Sequence, residues 1–362
     1  MHLPFCLKKC AYCDFVSYSA HYDKQKEYLE ALKQEFLHYC GEEIDTVYLG
    51  GGTPTSLETD VLIELLDEIF ANFRVLPNAE ITVECNPKTA DFEKFCALKK
   101  AGANRLSIGV QSLNDEELTA IGRLHSAEDA IACVNQAKKA GFSNISVDLM
   151  FSLPHQTLES LNQTIDGLRT LPVTHISCYG LILEEGTRLE KAVSNGEISL
   201  PDEDTELKMY QTIVKKLRNA GFYQYEISNF SKIGYESKHN TRYWKCEEYI
   251  GCGVAAHSYY KKERFCRAAE FHTYLKDPLK REDVTPITKE DEMSEFFILG
   301  LRMMRGVSDV VFREKFGVSF LDVYGDVIRK HQKNGLLEIK DGHLRFTEQG
   351  IYVSNTVLCE FV

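Results

Sequence analysis

A helix stopped by glycine and followed at once by a short apolar strand recurs along this chain. Lys99-Lys100-Ala101-Gly102 leads into Arg105-Leu106-Ser107-Ile108, Lys138-Lys139-Ala140-Gly141 into Ile145-Ser146-Val147-Asp148, and Arg218-Asn219-Ala220-Gly221 into Tyr225-Glu226-Ile227. Glycine ends a helix in the left-handed conformation, and cations in the last turn complement the helix dipole. Helical-period segments such as 157–171 and β-branched runs such as 45–49 and 81–83 fill the spaces between these joints. Strands that alternate with helices assemble into a parallel sheet. Strands are expected near 45–50, 79–86, 105–111, 144–151 and 175–183, with Met1 to Phe5 as the stub of an earlier one. Six βα units suit a partial α/β barrel. Parallel barrels gather their reactive groups at the C-terminal strand ends, and Cys6, Gly51, Glu84, Gln111 and Asp148 all fall there.

The partial barrel is expected over residues 1–200, and the Tyr-rich, His-containing stretch 201–275 is expected to close one of its sides. Charge together with Asp277, Pro278 and Pro286 marks 276–289 as a linker. Residues 290–362 read as a smaller α+β domain of helices ending in a hairpin, 336–339 and 344–346 around Asp341-Gly342, with a winged-helix outline.

Cys6, Cys10 and Cys13 form a CxxxCxxC run with Tyr12 directly before the last. Three thiolates are one too few to close a structural metal site, but a [4Fe-4S] cubane held at three corners keeps one iron open to another ligand. A zinc site is the competing reading, with His2 or Cys40 as fourth ligand, but the spacing matches no common zinc pattern. One βα unit later, Gly50-Gly51-Gly52-Thr53-Pro54 follows a strand, where missing side chains let a ligand approach the backbone.

The cysteine run and the glycine run together resemble the radical S-adenosylmethionine (SAM) superfamily. The resemblance implies an incomplete six-unit barrel, a [4Fe-4S] cluster, and SAM chelating the fourth iron for cleavage to a 5′-deoxyadenosyl radical. Within the superfamily the chain is similar to the oxygen-independent coproporphyrinogen III oxidase family. That match implies SAM contacts at Tyr12, Gly51, Gly52, Thr53, Glu84, Gln111, Arg123 and Asp148. In that family the first strand begins several residues earlier with a SAM-contacting tyrosine that would lie before Met1, so the resemblance implies either a start upstream of Met1 or a trimmed first strand with one SAM contact fewer. Two departures argue against porphyrinogen decarboxylation: Phe15 stands where the oxidase has a fourth cysteine, and only five residues precede Cys6.

A third feature, His239-Asn240-Thr241-Arg242-Tyr243-Trp244 between Tyr225–Phe230 and Gly251–Ser258, resembles the HemW haem-chaperone family. The resemblance implies haem as a third cofactor, with His239 as candidate ligand, His257 as second candidate, and Cys246 or Cys252 as alternative thiolates. It implies a haem acceptor protein, membrane-associated or a cytochrome, and a reductant such as flavodoxin or ferredoxin. A radical SAM enzyme acting on a tetrapyrrole is the alternative reading, and an iron-sulfur or zinc scaffold without SAM the third.

Lys and Arg total 42 against 54 Asp and Glu, a formal net charge of −12, which opposes attraction to nucleic acid. No stretch approaches the length of apolar residues that spans a bilayer. Twelve cysteines without a basic and apolar leader point to a reducing, cytoplasmic setting.

Overall fold

The computed structural model describes residues Met1 to Val362. Six parallel strands stand side by side in chain order: β1 (His2–Leu3), β2 (Glu43–Gly51), β3 (Arg74–Cys85), β4 (Arg105–Gln111), β5 (Asn144–Phe151) and β6 (His175–Gly180). The three glycine joints behave as read, with Gly102, Gly141 and Gly221 at φ +103°, +94° and +80°. Helices Thr59–Asn72, Phe92–Lys100, Ala127–Lys139 and Leu158–Arg169 cover the outer face of this curved sheet. The strands alternate accordingly. In β3, Ala79, Ile81, Val83 and Cys85 join the core beneath the helices, so Glu80, Thr82 and Glu84 face the barrel interior.

The stretch 201–275 works at both edges of the sheet. Helix Glu203–Asn219 packs on the outer face, and the hairpin of β7 (Tyr223–Glu226) and β8 (Asn229–Ser231) adds antiparallel strands beside β6. The chain then crosses beneath the barrel as helix Lys238–Trp244, whose first backbone N–H groups, from Lys238 and His239, donate to the Glu80 carboxylate at 3.1 Å each. It emerges beside β1, where the His2 N–H donates to the Cys252 carbonyl at 2.8 Å. One apolar core runs unbroken from Leu3 to Tyr274.

A second sheet contains β9 (His257–Tyr260), β10 (Glu263–Arg267) and β11 (Arg281–Pro286). The last strand lies inside the segment expected to be a linker. Its alternation is masked because nearly every side chain is exposed, and Pro286 is tolerated because β11 is an edge strand. The C-terminal unit has its own core, from Met293 to Phe361. Helix Lys289–Gly300 is followed by β12 (Val307–Ser308), helices Asp309–Phe316 and Phe320–Lys333, and the hairpin of β13 (Leu337–Lys340) and β14 (His343–Phe346). This is the winged-helix order. The chain does not end there: helices Glu348–Tyr352 and Ser354–Leu358 follow. The unit is tied to β7 and the turn after it by Met304 N–H to Tyr225 O and Ile227 N–H to Arg302 O, both 3.0 Å. No helix is long and apolar enough to cross a membrane.

The second sheet is fastened to the barrel by a buried ion pair. Arg267 Nε donates to Glu35 Oε1 at 2.6 Å, with the two side chains 1% and 0% exposed. Tyr274 and the Gly253 N–H donate to the other Glu35 oxygen at 2.8 and 2.9 Å, and Arg267 also reaches Tyr39 and the Leu279 carbonyl. Truncating one partner strands the other charge in the core. Arg267→Met is therefore expected to destabilise the protein by about 3–5 kcal/mol, read by urea unfolding, and more than the Glu35→Gln, Arg267→Met double variant does.

Candidate functional site

The C-terminal strand ends open onto a cavity of about 430 Å³ that collects Cys6, Cys10, Cys13, Tyr12, Gly51, Gly52, Thr53, Glu84, Gln111, Arg123 and Asp148. Every cluster and SAM residue expected from the sequence lines this one space. His239 does not.

The cysteine loop is held to the barrel rim by neighbouring groups. Cys6 Sγ lies 3.4 Å from Thr53 Oγ1, and Arg123 Nη1 donates to Cys10 Sγ at 3.6 Å. The Ala11 N–H donates to the Ile121 carbonyl, and the Leu189 N–H to the Ala11 carbonyl. All three thiols are partly exposed to the cavity. Three thiols from one short loop face one cavity, and three thiolates are the set that holds a cubane with one iron left open, whereas a structural zinc site takes four protein ligands. The donor set fits the cluster.

The glycine run has an intrinsic purpose as well as any ligand role. Gly51 has φ +106°, and a Cβ there would fall 1.7 Å from the His2 ring; one on Gly52 would fall 2.5 Å from the Phe5 carbonyl oxygen. Both glycines let β1 and the cysteine loop lie directly on the end of β2. Thr53 is buried, and Asn86 Nδ2 donates to its Oγ1 at 2.7 Å.

Arg123 Nη2 donates to Asn86 Oδ1 and to the Gly109 carbonyl at 2.6 Å each, while its Nε has no partner. A Cβ on Gly109 would meet Asn86 Oδ1 at 2.7 Å and so displace the side chains gathered around Arg123. Glu84 accepts from the Tyr48 hydroxyl at 2.7 Å. Burial pushes its carboxyl up to about 7, with nearby Asp148 adding to the rise and the Tyr48 and Gly51 hydrogen bonds opposing it. Asp148 is likewise raised by burial, against hydrogen bonds from Ser177 and Ser107 and the charges of Arg105 and Arg123. An unpaired basic atom beside two reluctant carboxylates suits a zwitterionic ligand with hydroxyl groups. The sequence reading missed Tyr48, Asn86, Arg105, Ser107, Gly109, Ser177 and Asn240. Strand alternation signals most of them, because each inward position follows two residues from another.

His239 lines a neighbouring cavity of about 370 Å³ at the lower end of β2, with Thr46, Tyr48, Arg242, Tyr249 and Tyr260. Its Nδ1 pairs with Thr46 Oγ1 at 2.9 Å and its Nε2 with the Tyr243 hydroxyl at 2.8 Å. Burial lowers its pKa to about 3, so the ring is neutral at physiological pH. His257 is exposed on β9. Cys252 is fully buried, and Cys246 lines a third cavity of about 300 Å³ with Tyr243, Trp244 and Arg264.

Comparison with known proteins agrees with this geometry. Residues 1–168 match the model of the radical SAM superfamily, and residues 287–353 that of the HemN C-terminal domain. The chain is 37% identical to the heme chaperone HemW of Bacillus subtilis, covering 100% of this chain and 98% of that protein. It belongs to the HemW family. The HemW of Lactococcus lactis is 36% identical over 100% of this chain and 96% of its own, and a mitochondrial radical SAM domain-containing protein 1 of Danio rerio 32% identical over 99% and 85%. The solved structure of coproporphyrinogen III oxidase (HemN) from Escherichia coli superposes with a TM-score of 0.87 at 23% identity, over 99% of this chain and 88% of that one. That likeness establishes the shared fold, including the C-terminal unit.

Because the folded-state pKa of Glu84 lies above its ordinary value, its contribution to stability is present at low pH and is lost as pH rises toward and past about 7. In this HemW-family protein Glu84→Gln is expected to raise the ligand-free melting temperature at pH 8 while leaving it unchanged at pH 4.5, and to weaken SAM binding at both. Calorimetry at the two pH values checks the sign.

Proposed function

We propose that this protein is a haem chaperone that binds haem, one [4Fe-4S] cluster and SAM, and passes haem to an acceptor protein. What carries the reading is the pairing of two cavities, one lined by all eleven expected cluster and SAM residues and the other by the motif histidine. Cys6, Cys10 and Cys13 would hold three irons of the cluster, which when reduced supplies an electron to SAM. Arg123, braced by Asn86 and the Gly109 carbonyl, is the cation for the SAM carboxylate. Glu84 accepts from the amino group, Asp148 from a ribose hydroxyl, and Gln111 from or to the remaining polar edge. Tyr12 offers an aromatic face from the cysteine loop. Loss of Asp148 or Arg123 is expected to weaken SAM binding by roughly 10- to 150-fold, the weight of a hydrogen bond to a charged group.

The second cavity suits a porphyrin. Ile44, Val47, Phe73, Tyr249 and Tyr260 give it apolar and aromatic walls; Arg242 at its edge is paired with Asp45 and Glu247, so a propionate would reach it only by displacing one of those carboxylates. His239 is in the neutral form that ligates iron. Coordination through Nε2 requires the Tyr243 hydroxyl to leave it. An anaerobic haemin titration followed by the Soret band should saturate at one haem per chain and weaken with His239→Ala. Tyr243→Phe, which removes the competing hydroxyl and keeps the ring, should tighten haemin by roughly two- to tenfold, the weight of one hydrogen bond. No saturable haemin binding would overturn the reading.

The first cavity also reaches down past Asp148 to Arg105, Ser177 and Asn240. That depth favours, as second reading, a radical SAM enzyme with a tetrapyrrole substrate. Substrate-dependent release of 5′-deoxyadenosine would select it. In either reading the reductant is a small electron-transfer protein such as flavodoxin or ferredoxin and the setting is cytoplasmic; in the chaperone reading the haem acceptor is membrane-associated or a cytochrome.

A further inference from the structure

The two cavities are neighbours, and one residue borders both. Tyr48 is the residue that lines both. On one side its hydroxyl donates to Glu84 Oε1 at 2.7 Å. On the other its ring stacks on the His239 imidazole, with centroids 5.0 Å apart and planes inclined by 21°. His239 in turn is fixed by Thr46, two residues below Tyr48 on the same strand, and by Tyr243. The neighbouring motif residue, Asn240, lines the SAM cavity.

We propose that Tyr48 is a positioning residue that couples the SAM site to the haem site, so that occupancy of one changes affinity at the other. The inference rests on the haem and SAM assignments made above and goes beyond them. When the SAM amino group claims Glu84, the carboxylate has less to offer the Tyr48 hydroxyl, and the ring is released from the position that clamps His239. The imidazole then separates more easily from Thr46 and Tyr243, so SAM tightens haem. Thermodynamic linkage requires the reverse as well: haem tightens SAM by the same factor. A gap in either direction through solvent is unnecessary, since Glu84, Tyr48, His239 and Tyr243 form an unbroken series of contacts.

The test uses the cluster-reconstituted full chain under anaerobic conditions. Haemin Kd is measured with and without saturating SAM, and SAM Kd with and without haemin, in the native sequence and in Tyr48→Phe. The native protein should show a reciprocal change of roughly fivefold or more. Tyr48→Phe keeps the stacked ring and loses the bond to Glu84, so it should still bind haemin alone while the change on adding SAM falls to near unity. No reciprocal change in the native protein, or the same change in Tyr48→Phe, overturns the proposal. Should haemin fail to bind at all, the haem reading falls by itself and SAM affinity still judges Tyr48. His239→Leu, with His239→Gln as a second variant, must then alter SAM Kd in the native background and leave it unchanged in the Tyr48→Phe background. Additive effects would reject the coupling.

Discussion

The alternation of the parallel strands is the constraint on which the rest of this structure depends. A barrel that closes on itself fills its interior with branched apolar side chains. Here the sheet is open, and its inward positions are Thr46 and Tyr48 on β2, Glu80, Thr82 and Glu84 on β3, Arg105 and Ser107 on β4, Ser146 and Asp148 on β5, and His175 and Ser177 on β6. The result is a polar well, and each buried polar group in it needs a partner. Asp148 finds Ser107 and Ser177, His175 finds Ser146 and Tyr225, and Glu80 finds the start of helix Lys238–Trp244. Arg105, 2% exposed, has only a 3.4 Å bond to Thr82 and an unpartnered Nε. Its positive charge is balanced at longer range by Asp148, whose pKa it lowers against the effect of burial.

An open sheet also leaves two edges, and unpaired strand edges are a liability. The chain manages them with the segment after residue 200. One edge is extended by the β7–β8 hairpin and covered by the C-terminal unit. The other, β1, is only two residues long, and the loop 251–256 lies against it. Gly253 makes that approach feasible, because a Cβ there would fall 2.4 Å from the His2 carbonyl oxygen. Glu35 and Arg267 then hold the loop, through Gly253, to the helix Gln25–His38 and the second sheet. Gly253, in the stretch Gly251–Ser258, is thus accounted for by strand-edge protection.

Much of this was legible beforehand because it rests on local patterns. Glycine-stopped helices and β-branched runs located all six parallel strands, the strand-end rule gathered Cys6, Gly51, Glu84, Gln111 and Asp148, and the cysteine spacing and family resemblance added the other six residues that the structure places around the same cavity. What escaped depends on contacts distant in sequence. The strand Arg281–Pro286 is almost wholly exposed and carries little apolar signal, so only its partner β10, across the turn-rich stretch between them, reveals it. Asn86 and Gly109 are bland in sequence; they matter because Arg123 folds back over both. The Tyr48 hydroxyl gains meaning only when Glu84, 36 residues away, lies beside it.

The His-Asn-x-x-Tyr-Trp spacing follows from helix geometry. Residues four apart share a helix face, which is why His239 Nε2 meets the Tyr243 hydroxyl within helix Lys238–Trp244. Asn240 and Trp244, one step around, form a second such pair, and the helix is pinned at one end by Glu80 and at the other by the C-terminal unit. There Arg302 stacks on the Trp244 ring at 4.5 Å, and Gly300 leaves room beside the Trp244 carbonyl. The six-residue motif thereby touches the first cavity through Asn240, the second through His239 and Arg242, and the third through Tyr243 and Trp244. A helix so placed cannot shift at one cavity without disturbing the other two. The motif is therefore a joint between the cavities, and the ring nitrogens of its histidine are held in that joint by Thr46 and Tyr243 until a ligand draws one of them away.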